Sequence, residues 1–400
     1  MEREKVIEIC DGVYWVGVKD WNRRIFDALI PLPHGTSYNS YLVKGTEKVA
    51  LIDTVNQGFE EELEEKLNEI VKVENIDYLI MNHAEPDHAG AIPYIMKKNT
   101  KLQLIATEKG SKMASIYYSV PPERIKIVKD GETIDLGGKR LSFIEAPFLH
   151  WPETMFTYLE EDKILFPCDF FGAHTAFGFY DSDVEDIMSH AKRYFGEIMM
   201  PFRIMGKKAL DKIKGLNIKI IAPSHGPIYR NPEKILDAYR KWTNGETREK
   251  AIVLYVSMWG STEKMIKTVS DTLISEGIEV SLYNLALADI GDVAKDLVDT
   301  RALIFGSPTV LGSMHPVAIF GAYLLKALKP PIKYCVVLGS YGWGGGSVKE
   351  ALDMLASTKV EVVGELEVNG PPTTEDYEKL RKICKDLVVK IKGDERYDGN

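Results

Sequence analysis

The sequence has few of the features that mark membrane, secreted or nucleic-acid-binding proteins. No apolar run among its 400 residues is long enough to cross a bilayer, and the charged opening MEREKVIEIC is not a signal peptide. Acidic residues outnumber basic ones by 59 to 50, and the net charge of −9 argues against nucleic acid, which requires a basic surface. We therefore expect a cytoplasmic protein with neither a nucleic-acid nor a membrane partner.

Cysteine is also scarce, and its placement excludes two further classes of protein. The four cysteines are far apart and form no C-x-x-C pair, which argues against a disulfide framework and against an internal Cys₄ metal site. Hydrophobic residues make up 45% of the chain and charged residues 27%, as in globular proteins. A length of 400 residues predicts two domains.

Two sequence patterns meet near residue 248, and we place the domains at 1–248 and 249–400. The first part alternates short strands and turns with helical stretches such as Phe59–Val73. The second part alternates apolar, β-branched strands with helices, and its five strand candidates are AIVLYVS, EVSLYNL, ALIFGSP, YCVVLGSYG and KVEVVGELEV. This pattern predicts an α/β fold with an open, doubly wound parallel sheet. The polar segment KWTNGETREK is predicted to link the domains.

One short stretch, MNHAEPDHAG, concentrates potential metal ligands. It follows the buried strand candidate IDYLIM, and in an extended loop His83 and Glu85 point the same way because side chains alternate. Pro86 stiffens the turn, so that Asp87 and His88 lie where the next helix begins. The loop can thus offer two ligand pairs to two neighbouring metals. The alternative is a surface loop whose polar side chains cap a helix, but four potential ligands within six positions favour a metal site.

Three more candidate ligands lie downstream, each at the end of a predicted strand. His150 follows FIEAPFL, Asp169 follows ILFPC, and His225 lies in IIAPSHG. The ordered series H-x-E-x-D-H, H, D, H is more specific than any of its parts. The remaining histidines have no obvious place in this scheme: His34, His174, His190 and His315.

This series resembles the metallo-β-lactamase fold, a sandwich of two sheets flanked by helices with metals at strand-end loops. The motif LIDT resembles the same fold, in which an aspartate at the position of Asp53 supports the metal loop. Glu85 stands where zinc hydrolases of this fold have a second histidine, and in this respect the chain is similar to the flavodiiron proteins. The resemblance implies one iron on His83, Glu85 and His150, a second on Asp87, His88 and His225, and Asp169 as the bridge between them.

The chemistry of Glu85 also indicates a redox metal. A carboxylate in place of an imidazole adds a hard, anionic oxygen donor, which suits iron or manganese better than a nitrogen-rich zinc site does. Zinc remains an alternative at this stage.

The segment YVSMWGSTEKM joins the first C-terminal strand to a helix and can bind an anion. Gly260 permits a tight turn, and the hydroxyl groups together with the free N–H groups of the helix terminus favour a phosphate. The segment resembles the flavodoxin phosphate loop, although Trp259 departs from it where threonine is usual; the alternative is an ordinary helix cap. The candidate residues are Ser257, Met258, Trp259, Gly260, Ser261 and Thr262.

Two later loops follow the ends of neighbouring strands, where a flavodoxin-like sheet holds its flavin ring. The first contains Ser307, Pro308, Thr309, Val310, Leu311 and Gly312. The second contains Ser340, Tyr341, Gly342, Trp343 and Gly344, of which Tyr341 or Trp343 can stack on the ring. The lack of a G-x-G-x-x-G motif argues against a nicotinamide site, and we predict FMN.

A chain with both sites is predicted to move electrons between them. Two ferrous ions and one reduced FMN store four electrons, the number that reduces O₂ to water, and reduction of two NO to N₂O needs two. The resemblance implies this activity. It also implies a rubredoxin-like external electron donor, because C-x-x-C pairs are absent, and a head-to-tail homodimer or a dimer of dimers. His174 and Tyr194 are candidates for supplying protons or hydrogen bonds.

Two other functions compete with this prediction. The first is a zinc-dependent hydrolase of the metallo-β-lactamase fold with a regulatory flavodoxin-like domain, against which Glu85 argues. The second is a non-enzymatic electron carrier or sensor with a vestigial metal loop, against which the completeness of the ligand set argues.

Overall fold

The chain forms two compact units, Met1–Thr243 and Asn244–Asn400, in a computed structural model that describes residues 5–393. The segment predicted as a linker lies mostly inside regular structure, because a helix runs to Asn244 and the next strand begins at Arg248. Gly245 ends the helix with φ of 72°, a left-handed conformation that glycine adopts without steric cost. The connection between the elements is therefore residues 245–247.

The N-terminal unit contains two main sheets. In spatial order, the seven-stranded sheet consists of Ile7–Cys10, Val13–Trp15, Tyr41–Lys44, Val49–Ile52, Tyr78–Ile80, Gln103–Ala106 and Ile125–Ile127. The five-stranded sheet consists of Thr133–Asp135, Arg140–Glu145, Met155–Leu159, Ile164–Phe166 and Ile220–Ile221. Two small ribbons pair Val18–Asp20 with Thr36–Tyr38 and Ile25–Phe26 with Ile30–Pro31.

The side chains of the strand Val49–Ile52 contact two different clusters in alternation, and this shows how the layers of the unit pack. Val49 and Leu51 lie in a buried cluster with helix residues, whereas Ala50 and Ile52 lie in a second cluster with residues of the five-stranded sheet. Since successive side chains of a strand point to opposite faces, the strand has helices on one side and the other sheet on its other side. The N-terminal unit is thus an αββα sandwich, as predicted.

Helices form the outer layers of this sandwich. The α-helices are Glu60–Ile70, Pro86–Ala89, Ile92–Lys98, Glu108–Tyr118, Ile187–Tyr194, Arg203–Ile213 and Glu233–Asn244. Shorter 3₁₀ turns occur at Val73–Asn75, Pro122–Arg124, Asp181–Asp183 and Met200–Phe202, and a π-helical turn occurs at Phe195–Met199.

The C-terminal unit is built on a parallel sheet of five strands. Their spatial order is Glu279–Asn284, Arg248–Tyr255, Thr300–Val310, Tyr334–Tyr341 and Glu361–Asn369. This order, 2-1-3-4-5 along the chain, is that of flavodoxin-like sheets, in which the ligand lies beyond the carboxyl ends of the strands. The short strand Ser313–Met314 pairs antiparallel with the end of Thr300–Val310.

Helices cover both faces of this sheet, as its continuous apolar strands predict. They are Ser261–Ser275, Ile290–Leu297, Pro316–Leu328, Ser347–Leu355 and Thr374–Gly393, with a 3₁₀ turn at Ala356–Thr358. Between residues 5 and 393, no helix combines the length and the apolar character that a bilayer span requires.

Candidate functional site

The first predicted ligand group comes together in one cluster, in which His83 and Glu85 are buried and His150 is partly exposed. Its members reach it from the loop after Tyr78–Ile80 and from the loop after Arg140–Glu145. Glu85 Oε2 lies 3.2 Å from His83 Nε2 and 2.9 Å from His150 Nε2. The two imidazoles and the carboxylate thus point their ligand atoms at one position.

The second predicted group forms a neighbouring cluster. Asp87 Oδ2 lies 3.3 Å from His88 Nε2 and 3.2 Å from His225 Nε2. Pro86 occupies the first position of the helix Pro86–Ala89, so Asp87 and His88 lie at the helix start as predicted. All three ligand side chains are buried.

Asp169 lies between the two clusters and presents one oxygen to each. Its Oδ2 is 3.4 Å from His83 Nε2 and 3.6 Å from His150 Nε2. Its Oδ1 is 3.0 Å from His88 Nε2 and 3.4 Å from His225 Nε2. Asp169 therefore has the geometry of a carboxylate that bridges two ions.

The polar atoms of this site are placed so that they can bind cations. Within the described part of the chain, both carboxylate oxygens of Asp87, both ring nitrogens of His88 and Oδ2 of Asp169 are buried, and the short contacts among these groups do not have hydrogen-bonding geometry. Burial lowers the pKa of His88, but the carboxylates of Asp87 and Asp169 outweigh it and raise the pKa to about 9. Buried carboxylates that attract this much positive charge fit two metal ions. The donor set of nitrogen and carboxylate oxygen fits iron.

Two histidines of the site are oriented by residues that the sequence analysis missed. His83 Nδ1 lies 2.8 Å from Glu153 Oε1, and His225 Nδ1 lies 2.7 Å from the carbonyl oxygen of Ser37. Burial raises the pKa of Glu153, but the hydrogen bond and charge of His83 together with hydrogen bonds from backbone N–H groups outweigh it, and the net shift is downward. An ionised carboxylate accepts the Nδ1 proton and leaves Nε2 of His83 free for a metal.

Asp53 supports the metal loop, as its resemblance implies. It accepts hydrogen bonds from the backbone N–H of Asn82 at 2.8 Å and from the Asn82 side-chain amide at 3.0 Å. Asn82 in turn accepts a hydrogen bond from Thr157 at 2.7 Å. The residue before His83 is thus fixed to both main sheets.

His174 and Tyr194 both lie beside the second ligand group. Their rings are 4.8 Å apart, and they lie 4.9 and 5.8 Å, respectively, from the ring of His225. Burial and the neighbouring His225 lower the pKa of His174, and burial raises the pKa of Tyr194 well above its usual value. Both groups are therefore neutral at physiological pH. Phe26, on the ribbon Ile25–Pro31, packs 5.2 Å from His174.

The other histidines lie outside the metal clusters. His34 and His190 form a ring pair at 4.9 Å. His315 caps the helix Pro316–Leu328 by accepting the N–H of Val317 at its Nδ1.

The three predicted flavin loops meet at the carboxyl ends of the C-terminal sheet. Gly260, with φ of 85°, precedes the helix Ser261–Ser275, whose first turn donates the N–H of Glu263 to Ser257. Thr262 and Ser340 join the first loop to the third through their hydroxyl oxygens, 2.9 Å apart. Pro308 and Ser340 are partners in the parallel register, which places the second loop beside the third.

Glu367, on the last strand, ties the second loop to the residues that directly follow the third loop. Its Oε1 accepts hydrogen bonds from Gly346 N at 2.9 Å, Ser347 Oγ at 3.0 Å and Thr309 Oγ1 at 3.3 Å. Burial raises the pKa of Glu367, but these hydrogen bonds outweigh it and lower the pKa. Glu367 was not among the residues predicted from the sequence.

The outer ends of the loops are open. Trp259, Leu311 and Trp343 are 90%, 87% and 84% exposed, and Met258 is also exposed. A Cβ atom added at Gly342 or Gly344 would meet no atom within 4 Å, and neither glycine has a positive φ. Protein packing gives no reason for glycine at these two positions, whereas a planar ligand against the backbone does.

Known protein families match both the N-terminal unit and the C-terminal unit. A family model described as ODP family beta lactamase matches residues 36–226, and the flavodoxin model matches residues 253–383. A nitric oxide reductase of Moorella thermoacetica is 40% identical over 96% of this chain and 98% of its own length. Rubredoxin oxygen:oxidoreductase from Desulfovibrio gigas superposes with a TM-score of 0.94 at 29% identity, covering 97% of this chain and 99% of that one. The flavodiiron protein from Giardia intestinalis superposes with a TM-score of 0.91 at 30% identity, with 98% of both chains covered.

The fold and the paired ligand clusters define a two-domain metalloflavoprotein of the oxidoreductase class. With relatives that match along nearly its whole length, this chain belongs to the flavodiiron proteins. Relatives of this kind do not favour the zinc-hydrolase alternative or a non-enzymatic carrier.

Proposed function

We propose that this protein reduces O₂ to water, NO to N₂O, or both, at a pair of irons that receive electrons through FMN. The observation that carries the proposal is the position of Asp169, with one carboxylate oxygen facing each of two buried ligand groups. A chain that joins such a site to a flavodoxin-like domain is suited to multi-electron reduction of a small molecule. The oxidoreductase activities named for the relatives support the proposal.

The ligand side chains have distinct roles in this proposal. When bound, the two irons and the flavin supply electrons, and the irons act as Lewis acids toward the substrate. His83, Glu85 and His150 would hold one ion, and Asp87, His88 and His225 would hold the second. Asp169 would supply one carboxylate oxygen to each ion.

We assign hydrogen-bond donation at this site to His174 and Tyr194, since both rings are neutral. His174 Nδ1 lies 3.0 Å from the hydroxyl of Thr36, which orients the ring, and its Nε2 is buried. Because Tyr194 retains its phenolic proton in this environment, it can donate a hydrogen bond into the pocket. Phe26 covers His174 and restricts the access of water from that side.

The three loops 257–262, 307–312 and 340–344 bind FMN in this proposal. Hydroxyl groups and helix N–H groups of the first loop hold the phosphate, and the open glycine backbone of the third loop lies against the ring. The division of the chain at residues 248 and 249 assigns these loops to the second domain.

Glu367→Gln is expected to weaken FMN binding about tenfold, because it removes the charge that ties the second flavin loop to the residues that directly follow the third loop. Fluorescence titration of the apoprotein with FMN measures this change. Glu365→Gln is the matched control, since Glu365 lies two positions earlier on the same strand and is exposed. Equal FMN affinities of the two variants would contradict the role given to Glu367.

The assembly we propose is a head-to-tail homodimer, alone or paired into a dimer of dimers, in which the flavin of one subunit serves the irons of its partner. Exposed apolar side chains at both sites support it: Trp21, Ile25 and Phe177 in the N-terminal unit, and Trp259 and Trp343 in the C-terminal unit. Co-expression of an iron-site variant with an FMN-deficient variant tests the arrangement. Activity in the mixed dimer is expected, and its absence in a correctly folded mixed dimer would refute electron transfer between subunits.

A rubredoxin-like protein in the cytoplasm is the proposed electron donor. The activity of the relative from Desulfovibrio gigas, a rubredoxin oxygen:oxidoreductase, supports this donor, and the four free cysteines support a reducing compartment. The function is tested by supplying the purified protein with reduced rubredoxin and measuring, with gas electrodes, how fast it consumes O₂ and how fast it consumes NO. Turnover of at least one of the two gases is expected, and ester or thioester hydrolysis without gas consumption would refute it.

A further inference from the structure

Glu153 is a buried carboxylate outside the set of metal ligands, and it contacts one of them. Its Oε1 lies 2.8 Å from His83 Nδ1 and accepts the backbone N–H of Ala84 at 2.9 Å. The residue is 3% exposed. The contact joins positions 70 residues apart in sequence, so the fold and not local chain geometry creates it.

The loop that carries Glu153 also carries His150 and connects the strands Arg140–Glu145 and Met155–Leu159. Thr107 donates its hydroxyl to the carbonyl oxygen of Glu153 at 2.9 Å, which anchors the loop to the other sheet. Trp151, from the same loop, packs edge-on against His83 with ring centroids 5.1 Å apart. This loop therefore supplies the ligand His150, and its residues Glu153 and Trp151 hold the ligand His83 in place.

The charge of Glu153 is directed at His83. Its other oxygen, Oε2, is buried and accepts no hydrogen bond from the residues that the structure describes. No basic side chain in residues 5–393 forms an ion pair with Glu153 apart from His83 itself. A carboxylate that accepts the Nδ1 proton increases the electron density of the imidazole, and a more basic ligand stabilises the more oxidised ion.

We propose that Glu153 is a positioning residue that fixes the His83 ring for metal binding and lowers the reduction potential of the ion bound there. This inference rests on the proposed metal assignment. It predicts two separable effects: hydrogen-bond acceptance by Glu153 sets the metal affinity, and its negative charge sets the potential.

Two substitutions separate these effects. Glu153→Gln keeps an oxygen that accepts from His83 Nδ1 but removes the charge, whereas Glu153→Ala removes both. We expect the alanine variant to bind metal about 10- to 100-fold more weakly than the wild type. The glutamine variant is expected to retain metal with a less than tenfold loss and to show a higher midpoint potential of the metal centre.

Glu145→Gln is the matched control, because Glu145 lines the same cavity of about 190 Å³ as Glu153 and forms no contact with a ligand histidine. The affinity for Zn²⁺ is measured by letting each metal-depleted protein compete with a chelator for the ion. The midpoint potential is measured by redox titration of the iron-loaded proteins. Glu153 lies in the N-terminal unit and the flavin loops lie in the other unit, so circular dichroism and thermal unfolding, rather than FMN content, report whether each variant has folded. The proposal is overturned if both Glu153 variants match Glu145→Gln in zinc affinity, or if the glutamine variant keeps the wild-type potential.

The zinc measurement also separates this inference from the proposed function. If the wild-type protein reduces neither O₂ nor NO, the proposed function fails, while weaker zinc binding by Glu153→Ala still supports a positioning role. If gas reduction is present but zinc affinity does not respond to either substitution, only the role of Glu153 fails.

Discussion

Replacement of Asp169 by asparagine is expected to lower the consumption of O₂ or NO by at least about 100-fold, while FMN remains bound. Asp169 is the one ligand whose two oxygens face the two clusters separately. An asparagine side chain offers a single oxygen and no charge, so it cannot bridge two ions. FMN is retained because the predicted flavin loops lie in the other compact unit. Iron analysis, flavin absorbance and gas electrodes measure the three quantities.

Asp237→Asn provides the control for this experiment. Asp237 is an exposed aspartate of the same unit, paired on the surface with Arg240, and its loss is expected to leave gas consumption and iron content unchanged. Normal turnover by Asp169→Asn, with normal iron content, would remove Asp169 from the site.

Replacement of Glu85 by histidine is the second substitution with a large expected effect. Glu85 Oε2 contacts both histidines of the first cluster, and histidine would convert this hard oxygen position into a third nitrogen. We expect the ratio of zinc to iron bound to rise about tenfold or more, which corresponds to about 1.4 kcal/mol. Consumption of O₂ or NO is expected to fall in proportion to the iron lost. Metal analysis after growth in medium with equal iron and zinc measures the ratio.

Glu85→Asp tests whether the carboxylate oxygen at position 85 causes the preference for iron over zinc. Aspartate keeps the carboxylate on a shorter side chain, so the preference for iron over zinc is expected to persist even where total metal binding falls. A histidine variant that still binds iron in the wild-type ratio and retains full activity would show that Glu85 does not select the metal.

The two clusters of candidate metal ligands could be predicted from sequence because their residues follow the ends of strands. Strand ends that share one edge of a sandwich bring such residues together, as seen for His83, His150 and His225. Glu153 and Ser37 carry no comparable local signal, since they act through contacts 70 and 188 residues away along the chain. Glu153 did have one signal, a carboxylate three positions after the ligand His150.

In the flavin domain, too, features with a local sequence pattern could be predicted, whereas contacts between residues far apart in the chain could not. Its doubly wound parallel sheet follows from five apolar strands that alternate with helices, and this architecture was predicted. Glu367 was not found, because it lies at an inconspicuous position of the last strand and binds loops 20 to 58 residues earlier. The helix Glu233–Asn244 extends into the polar segment that resembled a linker, and the compact units divide between residues 243 and 244.

The most direct test of the central claim is the metal and flavin content of the protein purified without oxygen, combined with the reaction of its reduced form. Our account predicts two irons and one FMN per chain, and a reduced protein that is reoxidised when O₂ or NO is added. Stoichiometric zinc without flavin, or a reduced iron–flavin protein that reacts with neither gas, would contradict it.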